Sequence, residues 1–95
     1  MKMYVLVRRD LSKSQQAVQG GHALAEFILN CQSPWNNSTL VYLGVNTKYQ
    51  LWAWREKLKE LKIKFIEWKE PDMQNETTAI AAYSNHKIFK RLNLL

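Results

Sequence analysis

The sequence predicts an α/β fold: one three-layer domain over residues 1–95, with a four-stranded mixed, mostly parallel sheet and helices on both faces. Three observations predict it. Short apolar runs at Lys2–Val7, Thr39–Val45, Lys64–Lys69 and Thr78–Tyr83 have the length and composition of strands. Capping patterns at Ser12-Lys13-Ser14-Gln15 and Thr47-Lys48-Tyr49-Gln50 open two helical stripes. The resulting order is β-α-β-α-β-β with a tail, and helix-length crossovers of this kind are right-handed and join parallel strands.

The first helix is expected from Ser12 to Cys31. At about 100° per residue, Ala17, Gly20, Gly21, Leu24, Phe27, Ile28 and Cys31 share one face. Gln19, His22, Glu26 and Asn30 form the opposite stripe, with His22 and Glu26 within pairing reach at i,i+4. Most other positions are apolar, so burial around much of the helix is expected. Two adjacent helical glycines, Gly20 and Gly21, each cost up to ~1 kcal/mol relative to Ala. Such a cost points to a close approach by the sheet or by a ligand. Ser33–Ser38 is loop chemistry, broken by Pro34, Asn36 and Asn37.

The second helix, Thr47–Leu61, carries the stripe Leu51, Trp54, Leu58 and Leu61. Glu70–Glu76 is a loop turned by Pro71 and Asn75. The fourth strand follows the third too soon for a crossover, so it runs antiparallel or lies beyond a long loop. A short basic helical turn at Asn85–Arg91 ends the chain. The ferredoxin-like order is excluded, because no strand pair follows the first helix.

Composition narrows the class. A hydrophobic share of 46% supports a real core and argues against disorder. No apolar run approaches the ~20 residues of a membrane span. No signal-peptide pattern precedes the first strand, so a cytoplasmic location is expected. A single cysteine, Cys31, and two histidines supply neither a disulfide nor a metal set. No metal or cofactor is called for. A net charge of +6 on a small surface favours polyanions, nucleic acid first. Basic residues gather at Arg8, Arg9 and Lys13 and again at Lys87, Lys90 and Arg91. Lys57, Lys59, Lys62 and Lys64 alternate with Glu56 and Glu60 as a solvated helix face does.

The segment richest in chemistry is Val7-Arg8-Arg9-Asp10-Leu11 leading into Ala17-Val18-Gln19-Gly20-Gly21-His22-Ala23. It is a strand exit opening onto a helix, the place where open α/β sheets build ligand sites. Together with the β-α-β order and the late strand Thr78-Ala79-Ile80-Ala81-Ala82-Tyr83, these residues resemble the type II peptidyl-tRNA hydrolase family. The resemblance implies hydrolysis of the ester joining a peptide to the terminal adenosine of tRNA. The family's Gly-Lys-Gly-Lys element is reduced here to Lys13 and Gln15, without its glycines. The loop that carries its acid and threonine is compressed into Glu70–Thr78. By the resemblance the acid is Asp72 or Glu70, with Asp72 preferred because Pro71 fixes the turn before it, and the threonine is Thr78 or Thr77.

Ester hydrolysis needs an oriented water, a weak base and a donor for the oxyanion. Lys13, Gln19, His22, Asp72 and Thr78 are the expected catalytic residues, converging on one cleft. Lys13 would place positive charge at a helix N-terminus, where the dipole also favours an anion. Arg8, Arg9, Lys87, Lys90 and Arg91 are expected to contact tRNA phosphates. The alternative is a catalytically silent RNA-binding or protein-interaction module on the same scaffold. The sequence is compatible with a homodimer as well as a monomer.

Overall fold

Each run expected to be a strand forms one. In the computed structural model, which describes all of residues 1–95, the chain runs β1 (Lys2–Arg8), α1 (Lys13–Asn30), β2 (Leu40–Val45), α2 (Lys48–Glu60), β3 (Phe65–Glu70) and β4 (Glu76–Ser84). Short 3₁₀ turns occupy Pro71–Met73 and Lys87–Arg91. Both helices start where the caps place them. The Ser12 and Thr47 hydroxyls accept from the backbone N–H of Gln15 and Gln50, at 3.2 and 3.1 Å. Each such cap contributes about 1 kcal/mol.

The sheet order is β2-β1-β4-β3. β1 and β2 are parallel neighbours, whereas β1–β4 and β4–β3 are antiparallel. The sheet is therefore mixed, but the mostly parallel arrangement is corrected: one of its three strand pairings is parallel. The cause is the turn after β3. Pro71–Met73 and the left-handed residues Gln74 and Asn75 reverse the chain, closed by Asn75 N–H donating to the Glu70 carbonyl at 2.9 Å. β4 then returns between β1 and β3, so β3 keeps the direction of β1 without pairing with it.

Side chains alternate along β1 and divide into two cores. Met3, Val5 and Val7 pack with Ala23 and Phe27 of α1 and with Ala79 and Ala81 of β4. Tyr4 and Leu6 pack with Leu51 and Leu58 of α2 and with Ile88 and Phe89 of the second 3₁₀ turn. Tyr4 stacks on Phe89 with centroids 4.1 Å apart. The chain folds as a single α/β domain around these cores. No helix is long and apolar enough to cross a membrane.

The phase of α1 differs from the expected wheel. Its buried residues are Gln19, Gly20, Ala23 and Phe27, while Ala17, Gly21 and Ile28 are exposed. Val18 and Leu29 also face solvent, so α1 is apolar beyond the stripe it buries. Gln19 turns inward because it finds polar partners there, and Gly20 because Tyr42 of β2 lies against it. A Cβ on Gly20 would come within 2.6 Å of the Tyr42 ring. The glycine pair thus divides into one close approach to the sheet and one open position.

The C-terminal tail does more than trail. Leu94 bridges Leu43, Gly44 N–H donates to the Asn93 carbonyl at 3.0 Å, and Leu95 N–H donates to the Tyr42 carbonyl at 3.0 Å. These bonds cover the outer edge of β2, which would otherwise offer unpaired backbone groups.

Candidate active site

The centre of the candidate site is Gln19, fully buried on α1. Its Oε1 accepts from Thr78 Oγ1 at 2.7 Å, and its Nε2 donates to Glu70 Oε1 at 3.2 Å and to Gln15 Oε1 at 3.0 Å. Three elements supply the group: α1 brings Gln15 and Gln19 one turn apart, β3 ends on Glu70, and β4 contributes Thr78 near its start. The amide orientation follows from the partners. A flipped Gln19 would set its carbonyl oxygen against two acceptor oxygens, so the Nε2 edge must face Glu70. Thr78 is fully buried as well, and its hydroxyl completes the set. Gln19 thus links the buried Thr78 hydroxyl to one oxygen of a partly exposed carboxylate.

His22 lies one turn further along the same flank of α1. It does not bond to Glu26; its ring stacks on Trp68 of β3 at 4.5 Å and 13°. Trp68 Nε1 is buried without a hydrogen-bond partner. The threonine alternatives separate by strand face: Thr78 meets Gln19, whereas Thr77 Oγ1 donates to Glu67 Oε2 at 2.8 Å. Burial pushes the Glu67 carboxyl up, but hydrogen bonds from Thr77 and Arg55 outweigh it and hold the group below its ordinary range.

Lys13 and Asp72 are placed apart from Gln19. Lys13 is the exposed first residue of α1, and it lines a hollow with Arg9, Gln16, Ala17, Tyr42 and Leu95. That hollow lies on the β2 side of α1, while Glu70 lies on the β3 side. Asp72 is exposed in the Pro71–Met73 turn and makes no hydrogen bond or ion pair with Lys13, Gln19, His22 or Thr78. Of the expected set, Gln19 and Thr78 are in direct contact and His22 shares their flank.

The basic residues divide similarly. Arg8 is 5% exposed and bonds in bidentate fashion to Asp10, with Nε to Oδ1 at 3.0 Å and Nη2 to Oδ2 at 2.9 Å. Its Nη1 reaches Glu76 Oε1 at 3.1 Å and the Thr77 carbonyl at 3.3 Å. Those partners raise the Arg8 pKa, and the Arg8 hydrogen bonds hold the Asp10 carboxyl below its ordinary range. A guanidinium so enclosed has no fork left for a phosphate. Arg9 is partly exposed, donates to the Leu94 carbonyl at 2.6 Å and lies over Gly44, where any side chain would strike it. Arg9 and Arg91 line one hollow beside Asn93, and Lys87, Lys90 and Arg91 line the next with Lys57. Arg91 joins the two into a basic strip.

Sequence reasoning missed Gln15, Glu76 and Lys57 as members of these groups. The i,i+4 spacing of Gln15 and Gln19 was the one local signal available. No cluster of three His, Cys, Asp or Glu side chains is placed to hold a metal ion.

The sequence model of the family described as Peptidyl-tRNA hydrolase PTH2 matches residues 1–94. Among solved structures, a protein of unknown function from Agrobacterium tumefaciens superposes with a TM-score of 0.74. It is 14% identical, with 99% of this chain and 96% of that chain covered, a likeness of fold alone. No curated protein matches the chain.

Proposed function

For a chain that belongs to the peptidyl-tRNA hydrolase PTH2 family, we propose hydrolysis of the ester bond of peptidyl-tRNA, centred on Glu70. The observation that carries this reading is the buried Gln19–Thr78 pair, which holds Glu70 Oε1 and leaves Oε2 without a protein partner. In the proposed reaction Glu70 takes a proton from water as the water oxygen attacks the ester carbonyl carbon. The tetrahedral intermediate then expels the ribose oxygen, which recovers the proton from Glu70. Peptide leaves as the acid and tRNA with its hydroxyl restored. General-base help of this kind contributes about 10²–10⁴-fold.

Gln19 and Thr78 are positioning residues in this scheme, since both are enclosed and touch Glu70 or each other. Lys13, on the β2 side of the mouth of α1, supplies positive charge for a tRNA phosphate beside Arg9, with the helix dipole acting in the same sense. His22 on Trp68 walls the cleft. Asp72 is proposed only as the competing acid, and its substitution tests the choice. Arg9, Lys87, Lys90 and Arg91 contact tRNA phosphates, while Arg8 anchors the strand exit. The proposed setting is cytoplasmic. We read the domain as three-layered, with α1 and α2 on opposite faces, supported by the alternation of β1 side chains between two cores.

The test is turnover of peptidyl-tRNA by purified protein. Release of free tRNA at a rate that Glu70→Gln abolishes supports the assignment. Tight tRNA binding without turnover replaces it with the silent RNA-binding module. Charge reversal of two residues of the basic strip is expected to weaken binding and reduce its salt slope by about one per lost contact. A homodimer is part of the proposal, for which α1 offers the exposed Val18, Ile28 and Leu29. A single monomeric species in sedimentation velocity removes it.

A further inference from the structure

A further hollow, of about 240 Å³, lies between α2 and the start of β4, lined by Lys48, Tyr49, Trp52, Arg55, Glu76 and Thr77. Two aromatic residues stand there in solvent, Tyr49 at 74% exposure and Trp52 at 60%. Their spacing of three along α2 puts them side by side on the helix surface. Neither belongs to the apolar core that α2 builds with Leu51 and Leu58. Cations flank them. Lys48 Nζ sits 5.5 Å from the Tyr49 ring centroid, and Arg55 is held by Glu67 at 2.9 Å and Glu56 at 3.2 Å through Nε and Nη1. Its Nη2 makes no hydrogen bond within the protein.

We propose that this hollow binds one unpaired nucleotide of an RNA single strand, an inference that rests on RNA being the substrate. An exposed aromatic pair with adjacent cations is the arrangement that takes a base by stacking and its phosphate by charge. The floor adds selectivity. Glu76 Oε1 is occupied by Arg8 and Lys48, at 3.1 and 3.7 Å, which leaves Oε2 to accept from an exocyclic amine. Adenine, cytosine and guanine carry that amine and uracil does not. The hollow therefore prefers amine-bearing bases. Glu76 and Thr77 also place it next to Thr78, two positions or fewer along β4 from the Gln19 group on the other side of the strand. A strand bound there would lead toward the Glu70 cleft.

The experiment titrates the whole protein with the tetranucleotides r(AAAA) and r(UUUU), following the Trp52 indole N–H by NMR and the affinity by calorimetry, which also reads the variants that lack Trp52. Expected are saturable shifts at Trp52, tighter binding of r(AAAA), and at least about a fivefold weakening in Trp52→Leu or Tyr49→Leu. Both side chains are exposed, so the fold tolerates their loss, and amide spectra verify it. A Trp52 resonance unmoved by r(AAAA), or undiminished affinity in the variant that carries both Trp52→Leu and Tyr49→Leu, overturns the inference. So does a Trp52 shift that tracks protein concentration instead of oligonucleotide, which would make the hollow a contact between copies of the chain. Binding at Trp52 without ester turnover sinks the proposed reaction alone. Turnover without binding at Trp52 sinks this site alone.

Discussion

Two polar groups sit at the same end of the sheet, on either side of β4, and they are built differently. On the α1 side, Thr78, Gln19 and Gln15 are uncharged, and Gln19, fixed by the other two, donates to one oxygen of a single acid, Glu70. On the α2 side, Arg8 is closed between Asp10 and Glu76, with its fork filled. The first arrangement leaves a carboxylate oxygen open to a ligand. The second leaves nothing open on its buried member. A buried ion pair of the second kind contributes modestly against an apolar replacement, yet losing one partner is costly. The difference teaches which group to assign to chemistry and which to architecture, although the arginine is the more eye-catching in the sequence.

The largest expected effect tests that division. Glu70→Gln keeps the size and the Gln19 contact but removes the base. Ester hydrolysis should fall about 10²–10⁴-fold with unfolding unchanged. Asp72→Asn should leave the rate within a factor of about two, since no hydrogen bond ties Asp72 to the Gln19 group. Initial rates on peptidyl-tRNA decide both. The reverse result, with Asp72→Asn dead and Glu70→Gln active, breaks the comparison and returns the acid to the turn.

On the α2 side the effect should appear in stability. Asp10→Ala removes two hydrogen bonds to a buried guanidinium. A loss of roughly 1–3 kcal/mol is expected in urea unfolding, because hydrogen bonds to charged groups lie in that range. Rate per folded molecule should hold. A collapse of turnover with stability intact would move Asp10 into the chemistry.

Acid sharpens the same contrast with a smaller effect. The Arg8 hydrogen bonds lower the Asp10 pKa in the folded state below its ordinary 3.8. Across that window the unfolded chain binds the extra proton, so the pair stabilises fully above the unfolded value and is lost as pH falls through the folded one. The midpoint of urea unfolding should drop below about pH 4, and the drop should shrink in Asp10→Ala. An equal acid response in both proteins would refute the role of the pair.

What was legible in the sequence was local. Ser12 with Gln15 and Thr47 with Gln50 carry their own geometry, and both caps form within three residues. Strand positions were legible because each run is short, apolar and bounded by turn residues. Pairing was not. Whether β4 returns beside β3 alone or also beside β1 depends on contacts across the whole chain. The site was hidden for the same reason. Gln19 bonds to a threonine 59 positions away and Arg8 to a glutamate 68 positions away. A hydropathy wheel turns a lone glutamine outward, and an arginine beside an arginine looks like a phosphate contact. Polar burial depends on distant partners, which periodicity does not encode.

The smallest expected effect uses the glycine pair to ask whether α1 must lie close to β2 for Gln19 to reach Thr78. At Gly21 nothing stands within 4 Å of an added Cβ. Gly21→Ala should therefore add about 0.8–1 kcal/mol of helix stability and leave turnover alone. At Gly20 the same methyl meets Tyr42 Cε2 at 2.6 Å and its hydroxyl at 3.1 Å. The contact is with the far end of the Tyr42 side chain, so the ring can swing, but it then loses its packing against the core on the α1 side. Burial already raises the Tyr42 pKa, and a displaced ring would return toward the ordinary 10.0. Gly20→Ala is expected to be about 1–3 kcal/mol less stable than Gly21→Ala, and to slow hydrolysis through the shift it imposes on α1. Thermal melts, rates and a tyrosine titration read the three consequences. If both alanines stabilise equally and both keep full turnover, the contact with Tyr42 is incidental, and Gln19 owes its position to its hydrogen bonds alone.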